Sequence, residues 1–347
     1  MNLRQRSTAL HAEATSAIPA ELLELLRTAK RIWVIPHERP DADALGAALG
    51  LQSILAQRGV EVAVLCADTP AKVYDVIPTV ARVLTTPPEW VPDAAILVDC
   101  GDAKRAGTAG ELMQALPVSV VRATIDHHVS NSSTSPLEWI DPTAAATCEM
   151  VTLIAVALQS DLAAEDGQLA ATLAAGIIMD TATFQHSNTT PRTLQVAGLL
   201  LEAGAPISEI SRRLYRSKPA TQVRLHARVL DRMETSDGGS TVWAAVLKSD
   251  LQETAAQPEE TEGIVDTLAQ VMEANVALFF KEEGLRETRL SIRTKEDGLD
   301  ATKIASLFGG GGHARAAGAS IPAPLDDAVA TVLRAVTSLR AGRGSEN

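Results

Sequence analysis

Aromatic side chains are nearly absent: Phe, Trp and Tyr together make up 3% of the chain, so alanine, leucine and valine must fill its interior. Cysteine is also scarce. Cys66, Cys100 and Cys148 form no CxxC pair and no zinc-ligand spacing. This excludes a disulfide scaffold or a zinc ribbon and predicts buried thiols in a reducing compartment. No apolar run reaches the ~18 residues of a membrane span. The first residues, MNLRQRSTALHAEATSAIPAELLELL, contain no apolar core of signal-peptide type. A cytoplasmic location is therefore expected. Positive charge is in deficit as well, with 31 Lys and Arg against 43 Asp and Glu and a formal net charge of −12. Long duplex nucleic acid is held by basic stripes that release counterions, and anionic membranes attract basic segments, so neither is an expected partner. A small anionic substrate stays compatible if cations sit inside the site, because bound divalent ions invert the local electrostatics.

The chain has 347 residues, roughly twice the ~150 of one domain. Its 46% apolar and 21% charged residues are those of a globular protein. Apolar runs at 31–36, 61–66, 94–100 and 118–126 read as buried strands. They alternate with helical segments, 19–30 and 44–58 among them, which predicts an α/β domain with a mostly parallel sheet. Helices follow at about 143–160, 166–180 and 191–204. The polar helical stretch 206–233, punctuated by Pro206 and Pro219, reads as a connector. A second, smaller α/β unit then begins near 236. It has strands at 241–248, 275–281 and 286–293, helices at 261–272, 301–308 and 325–340, and a Gly-rich loop at 309–312. The expected divisions are 1–205, 206–235 and 236–341.

Four acidic or histidine-bearing segments stand out. In HERPDAD, His37, Asp41 and Asp43 follow a strand end. A loop can aim both carboxylates into one cleft, although Asp43 could instead cap the next helix. Imidazole with carboxylates suits Mn²⁺, Fe²⁺ or Mg²⁺ rather than soft metals. Asp99 directly follows an apolar strand, with Asp102 a weaker candidate nearby. In IDHHVSN, Asp126, His127 and His128 end another strand. Successive side chains of an extended chain point oppositely, so one histidine could ligate while the other faces substrate, and Asp126 could orient an imidazole. Asp180 ends an apolar helical run. Ligands of open α/β sheets bind beyond the carboxyl ends of the strands, where most of these residues fall. A fifth segment, FGGGGHARAAG (308–318), could bring backbone N–H groups to a phosphate, with His313, Arg293 and Lys295 as nearby cations. It lacks the Lys-Ser/Thr of a P-loop. His186 lies near Asp180 but reads as an ordinary polar residue, and His11 and His226 read as surface residues.

The order HxxxDxD, strand-terminal Asp, DHH, distal Asp and GGGH resembles the DHH phosphoesterase superfamily over residues 30–320. Within it, the arrangement is most similar to bacterial oligoribonucleases (nanoRNases) that also act as phosphatases on 3′-phosphoadenosine 5′-phosphate (pAp). The resemblance implies an N-terminal DHH domain and a C-terminal α/β DHHA1 domain. It implies two Mn²⁺ ions, or Mg²⁺ or another divalent cation. One would be held by His37, Asp41 and Asp99, and the other by Asp43, Asp99, His127 and Asp180. Asp126 and His128 would be catalytic. Arg293, Gly310, Gly311, Gly312 and His313 would bind substrate, with Arg105 a further candidate. Short RNA and pAp are the implied substrates, and the family suggests a homodimer. Alternatives are a cyclic or linear dinucleotide phosphodiesterase, a RecJ-like single-strand exonuclease and a family pyrophosphatase. A non-enzymatic nucleotide-binding regulator predicts a missing ligand, and none of the six is missing.

Overall fold

The computed structural model describes residues 3–343 except 130, 132, 134 and 296–298. The chain divides into two compact units, Met1–Ser217 and Lys218–Asn347.

The first unit comprises α1 (Leu3–Ala17), α2 (Ala20–Thr28), β1 (Arg31–Ile35), α3 (Ala42–Ala56), β2 (Glu61–Val64), β3 (Ala94–Val98), α4 (Gly107–Ala115), β4 (Val121–Asp126), β5 (Leu137–Ile140), α5 (Thr147–Ala157), α6 (Gln168–Asp180), α7 (Pro191–Glu202) and α8 (Ile207–Tyr215). Its five strands pair in the order β2-β1-β3-β4-β5, all parallel. Both faces of the sheet are covered, which is why the strands read as unbroken apolar runs. Ile32 and Val34 of β1 join the larger core with α3, α5 and α6. Trp33 and Ile35 point the other way, into a smaller core with Leu65, Leu97 and Met113. The order reverses beside β1, and every strand points its carboxyl end to the same edge, so the loops after β1, β3 and β4 meet there. The three cysteines are buried and unpaired, as expected. His11 is half-buried and packs a ring nitrogen 3.2 Å from the Val156 carbonyl, tying α1 to α5.

The second unit comprises α9 (Ala220–Leu230), β6 (Glu234–Ser236), β7 (Thr241–Val246), α10 (Lys248–Thr254), α11 (Ile264–Leu268), β8 (Val276–Gly284), β9 (Glu287–Thr294), α12 (Ala301–Ser306), β10 (Gly311–His313), β11 (Ala316–Ile321) and α13 (Leu325–Arg343). Its six-stranded sheet runs β10-β11-β9-β8-β7-β6, antiparallel except between β7 and β8. Alternate residues of β8 feed two cores. Leu278 and Phe280 pack with Ile304 and Val332, and Ala277 and Phe279 with Leu225 and Ile264.

Two expectations change here. The stretch 309–312 is not simply a loop: Gly311 and Gly312 belong to the edge strand β10, hydrogen-bonded to β11. A Cβ on Gly310 would lie 2.1 Å from the Gly318 carbonyl oxygen. Gly312 has φ of 145°, and a Cβ there would lie 2.6 Å from Ala317 Cα. Both glycines are thus required by backbone approach to β11. His226, expected at the surface, is buried. One of its ring nitrogens lies 3.0 Å from the Glu260 carbonyl oxygen, and burial pushes its pKa down.

Candidate metal centre

The loop after β1 turns into α3 through Asp41, whose Oδ1 accepts from the backbone N–H of Asp43 (2.9 Å) and Ala44 (3.0 Å). Asp41, not Asp43, is therefore the helix cap. Asp43 sits fully buried in the first turn of α3. Its Oδ2 accepts from Thr147 N at 2.6 Å and its Oδ1 from Cys148 N at 2.9 Å. The N-terminus of α5 thus faces a buried carboxylate, where its unpaired N–H groups and dipole favour negative charge. Small residues make this approach possible. A Cβ on Gly176 of α6 would stand 2.5 Å from Asp43 Oδ1 and 2.4 Å from Cys148 Sγ.

Asp99 follows β3 with φ of 53°, a left-handed conformation that Asp tolerates better than most residues. Its side chain is 2% exposed. Oδ1 accepts from Thr147 Oγ1 at 2.9 Å and faces His127 Nε2 at 3.6 Å, while Oδ2 faces His37 Nε2 at 3.7 Å. His127 sets Nδ1 3.2 Å from the Ala144 carbonyl. A carbonyl only accepts, so Nδ1 carries the hydrogen and Nε2 is the nitrogen turned toward the acids. Nε2 lies 3.2 Å from Asp180 Oδ2 and 3.9 Å from Asp43 Oδ2. It is buried and has no hydrogen-bond partner.

Asp126, at the end of β4, is fully buried. Its Oδ1 accepts from His128 Nδ1 at 2.7 Å, and its Oδ2 from Asn131 Nδ2 at 2.6 Å. The two histidines do not point oppositely. Their rings lie 4.6 Å apart at 60°, and His128 Nδ1 is also 3.5 Å from Asp99 Oδ1. Strand alternation fails because β4 ends at Asp126 and the chain turns there.

The electrostatics follow from this crowding. Burial, with Asp180 and Asp99 nearby, holds the Asp43 carboxyl well above the usual range. Burial and the charges of Asp41 and Asp180 push Asp99 up to about 6. Burial opposes charge on His127, but the carboxylates of Asp180, Asp43 and Asp99 prevail and push it up to about 10. His128 is raised by its bond to Asp126. Burial would raise Asp126 too, but its bonds to His128 and Asn131 prevail and its pKa is lowered. The carboxylates thus crowd one another and draw protons onto the imidazoles. Among the described residues, three sets of donor atoms lie within 4.8 Å of one another: His37, Asp41 and Asp99; Asp43, His127 and Asp180; and Asp99, His127 and His128. All are nitrogen or oxygen donors, because burial and Asp43 raise the Cys148 thiol far above neutrality. Such a set, with an orphaned Nε2 at its centre, fits a hard or borderline divalent cation.

The remaining candidates are placed as follows. Arg105 is exposed in the turn after Asp102, and its carbonyl accepts from Glu38 N at 2.7 Å. Arg293 shares a lateral row of the second sheet with Ala316 and, one strand further, His313. Its guanidinium is paired with Asp266 at 2.8 Å. The His313 side chain lies outside the described residues. Lys295 is spent on the carbonyls of Val271 (2.6 Å) and Met272 (3.2 Å). His186 holds the Asp180 backbone carbonyl at 3.1 Å and stays outside the cluster. Sequence reasoning missed Thr147 and Asn131, which brace Asp99 and Asp126. The one available signal for Asn131 was a short amide side chain five residues after the strand-terminal Asp.

The model of the DHH family N-terminal domain matches residues 31–177, and that of the DHHA1 domain matches 239–339. The bifunctional oligoribonuclease and PAP phosphatase NrnA of Thermus thermophilus is 34% identical over 308 residues, covering 88% of this chain and 89% of its own. Its namesake in Bacillus subtilis is 27% identical, covering 87% and 92%. The structure of an exopolyphosphatase-related protein from Bacteroides fragilis shares the fold with a TM-score of 0.84 at 20% identity, over 92% of this chain and 95% of that one. Two matched domains in this order, and a relative above 30% identity along nearly the whole length, make the chain a member of the DHH family, a metal-dependent phosphoesterase with a DHH domain followed by a DHHA1 domain.

Proposed function

We propose that this enzyme hydrolyses short oligoribonucleotides to mononucleotides and removes the 3′-phosphate of pAp, using two Mn²⁺ ions. The observation that carries the reading is the division of Asp99: Oδ2 faces His37, and Oδ1 faces His127. A carboxylate so placed can belong to two adjacent ions at once. His37, Asp41 and Asp99 would hold one, and Asp43, Asp99, His127 and Asp180 the other. Bound there, the ions supply Lewis-acid charge for a phosphoryl oxygen and acidify a water. The similarity to NrnA, named for oligoribonuclease and PAP phosphatase activity, supports the substrate class.

The protein's own groups do the rest. Asp126 grips His128 through Nδ1, which sets the ring's other edge away from Asp126. That edge would meet a phosphoryl oxygen and stabilise charge developing on it. Asn131 takes the second oxygen of Asp126 and fixes the carboxylate plane. The resemblance to the family further assigns substrate binding to Gly310, Gly311, Gly312, His313 and Arg293 of the second unit, and to Arg105 of the first. A Cβ at Gly311 would meet nothing within 4 Å, so a ligand could reach its backbone. A small basic pocket with two cations would let an acidic protein handle RNA without a basic stripe.

The test is a time course with Mn²⁺ on end-labelled RNAs from dinucleotides to long oligomers, with pAp, cyclic-di-AMP and pyrophosphate alongside. Preferential cleavage of the shortest RNAs with phosphate release from pAp is expected. Turnover of a cyclic dinucleotide or pyrophosphate alone would overturn the substrate assignment.

A further inference from the structure

The peptide group that orients His127 is engaged at both ends. Its carbonyl, on Ala144, accepts from His127 Nδ1 at 3.2 Å, and its N–H, on Ala145, donates to Glu149 Oε2 at 3.2 Å. Glu149 is fully buried in the first turn of α5. The same Oε2 accepts from Thr193 Oγ1 at 2.7 Å, and Oε1 accepts from Arg192 Nε at 2.5 Å. Arg192 is anchored in turn by Asp141 at 2.8 Å. Asn188 donates to the Ala145 carbonyl at 3.0 Å, holding the next peptide of the same loop. The chain of contacts runs from α7 through Glu149 and one peptide to the imidazole.

A carboxylate accepting a peptide N–H polarises that peptide and makes its carbonyl a stronger acceptor. Glu149, paired with Arg192, therefore strengthens the Nδ1–H bond of His127 without touching the ring. It also fixes the loop that carries the carbonyl. A buried carboxylate is costly unless it is paired and hydrogen-bonded, and Arg192 and Thr193 meet that requirement. Neither Arg192 nor Glu149 is among the residues that face the carboxylate cluster itself.

We propose that Glu149, held by Arg192, is a positioning residue for His127, acting through the Ala144–Ala145 peptide to keep Nδ1 bonded to the Ala144 carbonyl and Nε2 aimed at Asp43, Asp99 and Asp180. The proposal rests on the reading of His127 as a cation ligand. Groups that hold a ligating histidine by its other nitrogen commonly change cation affinity about ten- to a hundredfold when removed.

The experiment measures Mn²⁺ binding to the full chain by calorimetry and by the paramagnetic resonance of free Mn²⁺, with no substrate present. Glu149→Gln should weaken one of the two Mn²⁺ sites about ten- to a hundredfold and leave the other unchanged. Glu149→Asp, which keeps the charge but withdraws it from Ala145, carries the same expectation and serves if the glutamine variant does not fold. In a His127→Ala background neither substitution should weaken Mn²⁺ further, because the path ends at that ring. Long-range ¹H–¹⁵N spectra of the Mg²⁺-loaded protein should show the Nδ1–H signal of His127 displaced in Glu149→Gln. Unchanged affinities in folded Glu149 variants, or an equal loss that persists without His127, would overturn the inference while leaving the function intact. A wild-type protein that binds no divalent cation would overturn both.

Discussion

Asp180 brings a carboxylate oxygen to 3.2 Å from Nε2 of His127, yet no hydrogen bond joins them. The pair is close enough for both groups to reach one cation. Helix α6 has its last residue at this point, so the last acid of the cluster in chain order completes it.

Asp99 is the residue on which the centre should depend most. Asp99→Asn keeps the shape and tolerates the left-handed backbone, but it removes the charge facing both His37 and His127. Hydrolysis should fall on the order of a thousandfold or more, with an unchanged far-ultraviolet circular dichroism spectrum. Retained turnover in metal-stripped Asp99→Ala protein would rule out the two-ion mechanism.

Cation binding should compete with protons. The carboxylates push His127 up to about 10 and one another upward, Asp99 to about 6, so the cation-free centre holds protons at neutral pH. A cation must displace them. Apparent Mn²⁺ affinity should therefore rise with pH between about 6 and 10, and calorimetry in buffers of different ionisation enthalpy should show proton release. A pH-independent affinity would contradict the assignment of His127 as a ligand.

Gly176→Ala tests the close packing of α6. Its new methyl would stand 2.5 Å from Asp43 Oδ1 and 2.4 Å from Cys148 Sγ. Overpacking of this kind costs about 1–3 kcal/mol. Urea unfolding should register that loss, and Mn²⁺ titration should show weakened binding. The half-buried Gly198→Ala, where a Cβ meets nothing within 4 Å, should do neither.

Acid stability of the second unit should depend on Asp250. Burial would raise its pKa, but Arg232 and Arg228 bind the carboxylate and the net shift is downward. A lowered folded pKa contributes stability that is present above the unfolded value of ~3.9 and lost as pH falls through the folded one. Asp250→Asn should cost about 1–3 kcal/mol at neutral pH. Hydrogen exchange of β7 and β8 should then depend less steeply on pH in the acid range.

Substrate capture should separate from ion binding at the glycine-rich strand. His313→Ala should raise KM for pAp several-fold and leave Mn²⁺ affinity unchanged. Steady-state kinetics beside a metal titration decides this, and a loss of Mn²⁺ affinity would count against the division of labour.

The parallel sheet was legible because its strands are covered on both faces and therefore read as apolar runs. The candidate site residues were legible because they sit where those runs stop, at His37, Asp99 and Asp126. Other parts left no such trace. Strand β11 begins AAGAS, without a β-branched or aromatic residue before Ile321, and owes its form to the edge of β9 that it meets. Strand β5 is four residues long and only partly buried. Thr147, the first residue of α5, and Asn131, in the loop after β4, are small polar residues at element ends, where periodicity carries no information. Alternation misled for His127 and His128 because it holds only while the chain stays extended.

The cluster gathers residues from His37 to Asp180, so no short stretch of the chain contains it. A growing polypeptide that has not yet completed α6 has only part of the ligand set. Parallel pairing of distant strands is slow compared with local helix formation, and the ions cannot template it in advance. A cation that needs the whole ligand set would thus be bound only once α6 has formed. Trapped Mn²⁺ would serve as a direct reporter of molecules that have finished folding, separating them from collapsed chains that have helices but no assembled sheet.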